Sequence, residues 1–391
     1  MKIATTVCEY NPFHNGHIKH LDFIKENIKP DYTIVFMSGN FVQRGDLAVA
    51  DKYTRAVWGI KGGADLVIEL PSVFAVGNAE TFSSGAVKLM NALNVPCSFC
   101  FGAESGDVES FKTNAKYLLN ESKEFKSLIK EYLNNGESLV RAKYLALKSL
   151  NPDGFNSELF ENPNNILGLE YTKAIIKNNA DIEIVPLLRD AKHNDDTLYK
   201  KLTSASSIRA AIGNTRKGKL KSVVPDYVYE DLPDALPNMD KPLMTNILTS
   251  DTEDMKKVPD CTEGLENRIK YLCEVNTHFD TALSKIITKR YTETRIRRIC
   301  VANLLKITNG LVKDGLDDAL YFKVLAANKK GLELIGELKN KAKYPFLTRK
   351  SDYSLSGTAK KVFAVDTLSC RLYSLFTDSR VNEFATEISQ K

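Results

Sequence analysis

A chain of 391 residues with 43% hydrophobic residues has material for two or three domains with true cores, and its formal charge of +5 is too small to name a partner alone. Seven scattered cysteines and the lack of a long uncharged apolar run exclude a disulfide scaffold and a membrane span. The N-terminus has one Lys before a short run that reaches Glu9, so no signal peptide and a reducing, cytoplasmic setting are expected.

Strand-like runs fall at Ile3–Val7, Tyr32–Met37, Leu66–Leu70, Cys97–Phe101 and Ile182–Pro186, with helix-like segments between them. Short apolar strands alternating with helices predict an α/β fold with a doubly wound parallel sheet. Ligands in such sheets bind at the carboxyl ends of the strands, where Ser38-Gly39-Asn40, Gly102 and Arg189 are expected beside the first loop. Val108–Leu150 is Lys/Glu-rich and reads as solvated helix. Pro225, Pro233, Pro237 and Pro242 mark a join, and from about Met244 the pattern is mainly helical with no further βαβ rhythm. The expected division is a catalytic domain over 1–215 and a mainly helical, basic region over 216–391.

The first loop carries Asn11-Pro12-Phe13-His14-Asn15-Gly16-His17, directly behind the first strand. Of five histidines in the chain, His14, His17 and His20 fall together here. A helix begins near His17, and its unpaired N–H groups and dipole favour an anion. Pro12 fixes a φ, and Gly16 admits close backbone approach to a ligand. The pattern points to a phosphate site with two hydrogen-bonding imidazoles, hence a nucleotide enzyme. Zinc is the rival, but no Cys or acid stands at a spacing that completes a site, so no metal ligands are assigned.

Thr203-Ser204-Ala205-Ser206-Ser207-Ile208-Arg209 reads either as a helix cap or as a second phosphate cradle, with Ser206 and Ser207 as donors and Arg209 as counter-charge. Ser38–Asp46 sets Asn, Gln and Arg44 between glycines, suited to a small substrate or a base, or to a lid. Asp51 and Lys52 open the next helix without a settled role. Lys285–Lys306 carries seven cations and one acid, with Ile296, Ile299, Leu304 and Ile307 on an apolar side; Lys289, Arg290, Arg295 and Arg298 are candidates for RNA phosphate. Asn328-Lys329-Lys330-Gly331 adds a basic turn. Cys97-Ser98-Phe99-Cys100 lies in a strand and reads as core.

The histidine pair followed by late hydroxyls and Arg209 resembles the nucleotidyltransferase superfamily. Glu9–His17, Met37–Gly45, Pro163–Tyr171 and Lys289–Thr292 with Arg295-Ile296 together resemble the bacterial tRNA(Met) cytidine acetate ligases. These motifs span nearly the whole chain in order.

The resemblance implies a Rossmann-like nucleotidyltransferase domain and an ATP-dependent ligase. Acetate would be activated as acetyl-adenylate and passed to the wobble cytidine of elongator tRNA(Met), giving N4-acetylcytidine. It assigns His14 and His17 to catalysis. It assigns ATP contacts to Val7, Cys8, Glu9, Tyr10, Asn11, Pro12, Phe13, His14, Asn15, Gly16, His17, Ile18, Lys19, His20, Gly102, Asn164, Arg189, Ser206, Ser207 and Arg209. Mg²⁺ is expected with ATP. Three readings compete with this one. A nucleotidyltransferase acting on a small phosphorylated metabolite would not need the basic C-terminal half. A class I aminoacyl-tRNA synthetase would carry a Lys-Met-Ser-Lys-Ser-like loop, which is not found. A non-catalytic RNA binder would have no use for the histidine pair.

Overall fold

The computed structural model describes residues 1–188, 204–212 and 217–388. Ten strands are present among them: β1 (Ile3–Cys8), β2 (Tyr32–Ser38), β3 (Phe41–Val42), β4 (Asp46–Leu47), β5 (Leu66–Leu70), β6 (Cys97–Ala103), β7 (Ile182–Leu188), β8 (Phe322–Ala327), β9 (Phe346–Leu347) and β10 (Glu387–Ile388). The main sheet runs β10-β8-β5-β2-β1-β6-β7, with β9 beside β8. β5, β2, β1, β6 and β7 are all parallel. Every residue of β5 is buried, as is β2 from Thr33 onward. Such runs need cover on both faces, which the helices of the parallel crossovers supply.

The chain builds β2 and β5 on one side of β1, then returns to lay β6 and β7 on the other. The connections therefore diverge at the β1/β6 boundary. That divergence opens a crevice at the carboxyl ends of these two strands, where doubly wound sheets hold ligands. The five strands read from the sequence are β1, β2, β5, β6 and β7.

The region beyond Met244 is mainly helical, as read from the sequence, but it also adds strands to the sheet. β8 joins the same sheet antiparallel to β5, and β10 pairs with β8. β8 reads Phe-Lys-Val-Leu-Ala-Ala and is buried throughout, so it lacks the alternation that marks a half-exposed strand. Among the described residues no helix is long and apolar enough to cross a membrane.

A buried ion cluster ties the C-terminal segment to this sheet. Lys52 Nζ lies 2.7 Å from Glu69 on β5 and 2.8 Å from Glu383, with all three side chains buried. Burial alone would pull the Lys52 ammonium down, but the Glu383 and Glu69 carboxylates hold it well above the ordinary lysine range. Lys323 of β8 donates to the Tyr353 hydroxyl and the Glu383 carbonyl. Its burial and the nearby Lys52 charge bring it down to about 8. Asp366 accepts from the Ser72 N–H at 2.7 Å and the Tyr321 hydroxyl at 2.6 Å. Breaking a buried pair from one side leaves uncompensated charge. Lys52→Met is expected to cost about 3–5 kcal/mol in urea unfolding. Replacing Glu69 and Glu383 by Gln in the same chain should recover part of the loss. An unchanged midpoint for Lys52→Met would refute the cluster.

Candidate active site

The loop after β1 is shaped by its own histidines. His14 caps the helix Asn15–Phe23: its Nδ1 accepts the Gly16 N–H at 3.0 Å. The His14 N–H in turn donates to His17 Nδ1 at 3.1 Å. This is a capping box made of two imidazoles instead of the usual hydroxyl and carboxyl. The ring centroids stand 3.9 Å apart. Because both Nδ1 atoms accept, each neutral ring carries its proton on Nε2. The cap thus fixes the tautomer and supplies two N–H donors of one kind. At Gly16 a Cβ would meet His14 Cε1 at 2.7 Å. The glycine makes room for the histidine ring.

The rest of the loop is packed hard. Tyr10 has φ +46°, and the rings of Tyr10 and Phe13 lie 5.0 and 5.4 Å from His17. Both rings press on the helix Lys52–Lys61 and its C-cap, at Gly59 and Gly62, where no side chain intervenes. Val7 and Cys8 end β1, and Asn11, Pro12 and Phe13 are buried. Asn15 and Lys19 are exposed, and Ile18 is half-buried. His20 Nε2 lies 3.2 Å from Cys100 Sγ, which joins this helix to β6 across the crevice.

Arg55, which the sequence reading missed, holds the strand ends together. Its Nε donates to the Ala50 carbonyl at 2.8 Å, and its Nη1 to the carbonyls of Glu9 at 2.5 Å and Ser38 at 3.1 Å. Nη2 donates to the Gly39 carbonyl. The loops after β1 and β2 are therefore joined by one buried guanidinium. The Glu9 carboxylate accepts the Gln43 N–H at 2.8 Å, which brings in the β3–β4 hairpin. Burial pushes the Glu9 carboxyl up, against that N–H and the charges of Arg209, Arg55 and Arg44. Arg44 is exposed at the hairpin tip.

Asn11 Oδ1 accepts the Val49 N–H and Asn40 Oδ1 the Lys52 N–H, both at 2.8 Å. Asp51 caps the helix through the N–H groups of Tyr53 at 2.9 Å and Thr54 at 3.2 Å. The structure thus gives Asp51 and Lys52 framework roles.

The late motif comes to the first loop. Ser204 caps the helix Ala205–Ala211 in a capping box with Ser207, whose hydroxyl donates to the Ser204 carbonyl at 2.8 Å. Arg209 Nη1 donates to the Asn11 carbonyl at 2.6 Å, and its Nη2 lies 3.4 Å from Ser206 Oγ. Burial pulls the Arg209 guanidinium down against the opposing charges of Glu9 and Asp46. Ser206 is exposed. Arg189 and Thr203 lie outside the described residues.

Gly102 pairs with Leu187 near the end of β6. Asn164, in the first turn of the helix Pro163–Lys177, donates to Glu104 Oε1 at 2.6 Å. Asn165 Oδ1 accepts the Glu104 and Ser105 N–H groups at 2.9 and 3.1 Å. The β6 loop and this helix start are thereby one unit. Burial pushes the thiols of Cys97 and Cys100 up to about 12, as befits core residues.

The four cations read as RNA contacts all meet protein acceptors. Lys289 pairs with Glu137 at 2.7 Å, and Arg290 pairs with Glu263. Arg295 donates to the Asp260 carbonyl at 2.9 Å, and Arg298 lies 3.6 Å from the Asp260 carboxylate. Ile296, Ile299, Leu304 and Ile307 are buried, as the spacing predicts. Among the described residues no group of three or more His, Cys, Asp and Glu side chains could hold a metal ion.

A model of the HIGH nucleotidyl transferase family matches residues 1–387. A tRNA(Met) cytidine acetate ligase of Thermoanaerobacter pseudethanolicus is 37% identical over 384 residues, which covers 96% of this chain and 95% of that protein. One from Alkaliphilus metalliredigens is 34% identical over 399 residues, covering 96% and 94%. The crystal structure of Thermotoga maritima TmcAL bound with alpha-thio ATP aligns with a TM-score of 0.90 at 30% identity, over 100% of both chains.

The packing of Tyr10 yields a direct test. Gly59→Ala forces a Cβ onto that ring and is expected to cost about 1–3 kcal/mol in urea unfolding. Gly336→Ala, in a helix with open space around it, should be neutral or stabilising by up to about 1 kcal/mol. Equal effects at both sites would show that Tyr10 is not held by the bare helix face.

Proposed function

The chain belongs to the HIGH nucleotidyl transferase family and, within it, to the tRNA(Met) cytidine acetate ligases, and from that premise we propose how its residues join acetate to a tRNA cytidine. The reaction has two steps. An acetate oxygen attacks the α-phosphorus of ATP, the bond to the bridging oxygen breaks, and acetyl-adenylate and pyrophosphate form. The exocyclic N4 of the wobble cytidine of elongator tRNA(Met) then attacks the acetyl carbonyl carbon. AMP leaves, N4 loses a proton, and N4-acetylcytidine results.

The observation that carries this reading is the meeting of the two motifs, with Arg209 bonded to the Asn11 carbonyl beside the His14/His17 pair. Acetate is a weak nucleophile facing a polyanion, so activation requires charge neutralisation and alignment. The Nε2–H donors of His14 and His17 would stabilise the α-phosphoryl oxygens as negative charge builds. Arg209 and the exposed Ser206 would receive the departing pyrophosphate. Ser207 contributes by fixing the helix start. Gly102 and Asn164 lie on the β6 side of the crevice, where the adenosine would rest. Mg²⁺ would enter on the oxygens of the triphosphate itself. Activation falls to 1–215 and tRNA engagement to 216–391, with ATP and tRNA placing the enzyme in the cytoplasm.

ATP–pyrophosphate exchange tests the first step. Wild type is expected to exchange label with acetate and to do so poorly without an acid. His17→Ala should lower the rate by about a hundredfold or more. Exchange that ignores acetate would instead favour nucleotidyl transfer to a metabolite. Mass analysis of elongator tRNA(Met) after incubation with acetate and ATP reads the second step, as an added acetyl group on the wobble cytidine.

A further inference from the structure

Two stretches of this chain carry seven cations and one acid each, Lys285–Lys306 and Lys339–Lys361. The fold treats them oppositely. In the first, every cation has a protein acceptor. Lys285 reaches Asn276 Oδ1 at 2.7 Å, Lys306 reaches Asn246 Oδ1 at 3.3 Å, and Arg297 is surrounded by Glu293, Asp280 and Asp46 at 2.8, 3.1 and 3.6 Å. The other four are bound as described above. A Cβ at Gly45 would come within 2.6 Å of the Arg297–Arg298 backbone, so the helix Glu293–Leu304 lies flush against the β3–β4 hairpin.

In the second stretch, Lys339, Lys341, Lys343, Arg349, Lys350, Lys360 and Lys361 are all exposed. Among the described residues none of them enters an ion pair, whereas the ion pairs that do form draw on other lysines and arginines. The one acid, Asp352, is taken by the N–H groups of Thr348 and Arg349 at 2.9 and 2.8 Å. The backbone beneath is anchored. Phe346 stacks on Phe322 at 4.8 Å, Leu347 is buried, and Tyr353 lies edge-on to Phe384 at 5.0 Å. Seven outward charges on a fixed path form a preorganised polycation. The path runs from the amino end of β6, where the Lys343 N–H donates to the Ala92 carbonyl at 2.8 Å, to the buried cluster, where Tyr353 contacts Lys323.

We propose that Lys339–Lys361, and not Lys285–Lys306, is the surface on which the RNA substrate lays its phosphate backbone. This rests on the ligase reading above, since it names where that reading's macromolecular substrate docks. Six of the cations are lysines, point charges on flexible stems, of which Lys350 lies over the Phe384 ring at 6.0 Å; such charges suit sequence-independent phosphate contact and leave base selection to the site. Lys285–Lys306 serves as a brace under the hairpin, its cations already engaged by protein acceptors.

The test compares three full-length proteins: wild type, a variant with Lys341→Gln, Lys343→Gln, Arg349→Gln, Lys350→Gln and Lys360→Gln, and a control with Lys285→Gln and Lys289→Gln. Each is assayed for elongator tRNA(Met) binding across a salt series, for acetate-dependent ATP–pyrophosphate exchange, and for binding to phosphatidylserine vesicles. Exposed positions are chosen so that folding is kept, and the exchange assay checks it. The expected result is tRNA affinity weakened tenfold or more in the five-fold variant, with a salt slope shallower by several units, unaltered exchange, and a control within about threefold of wild type. Equal tRNA affinity and slope in the five-fold variant and wild type would overturn the surface while leaving the ligase reading intact. A wild type that exchanges but holds no tRNA, or prefers the vesicles, would remove the RNA partner and the surface with it.

Discussion

The guanidinium of Arg55 is the constraint on which the active-site geometry depends. It sits out of contact with solvent and is met by four carbonyl oxygens, from Ala50, Glu9, Ser38 and Gly39. Burial pulls its charge down, and the surrounding carbonyls and nearby acids keep the cation in place. Loops at strand ends are ordinarily the mobile part of an α/β sheet. Here two of them share one planar donor whose fork fixes both distance and angle. The histidine cap, the Asn11 carbonyl that receives Arg209 and the Glu9 carboxylate that holds the hairpin all hang from that joint.

The five parallel strands and the histidine loop were legible because each is written locally, as an apolar run or a clustered motif. Arg55 was not, because its partners are backbone carbonyls contributed by distant loops, and no residue pattern announces a carbonyl. Distance in sequence hid the role of Lys52, whose carboxylates lie 17 and 331 residues away. β8 was hidden by being buried on both faces, which removes the alternation, and by Lys323 near its start. The room that Gly16 leaves for the His14 ring was hidden as well, since it depends on how the cap folds back. The basic helix was picked out by charge count, and counting cannot see that Asp260, Glu263 and Glu137 lie opposite. Charge composition gives the ions of a stretch, whereas the fold decides which remain unpaired.

Hydroxyls and imidazoles share one structural device here, the helix cap. His14 and His17 form the helix cap that fixes their own tautomers. Ser204 and Ser207 form the second cap and present Arg209 to the first loop. In both places the hydrogen bonds that cap a helix also tie its loop to the end of β1. Preorganisation of this kind removes the cost of arranging donors once charge develops on the substrate.

The Lys52 cluster has a consequence for how the protein comes into being. Lys52 and Glu69 are made early in synthesis, and Glu383 is made 331 residues after Lys52. Until that segment leaves the ribosome, one buried ammonium lacks half its counter-charge and β5 exposes an open edge where β8 belongs. Domains usually mature from the N-terminus as they emerge. This sheet gains its last strands and its second carboxylate only at the end, so a nascent chain interrupted late holds the histidine pair on an unfinished scaffold.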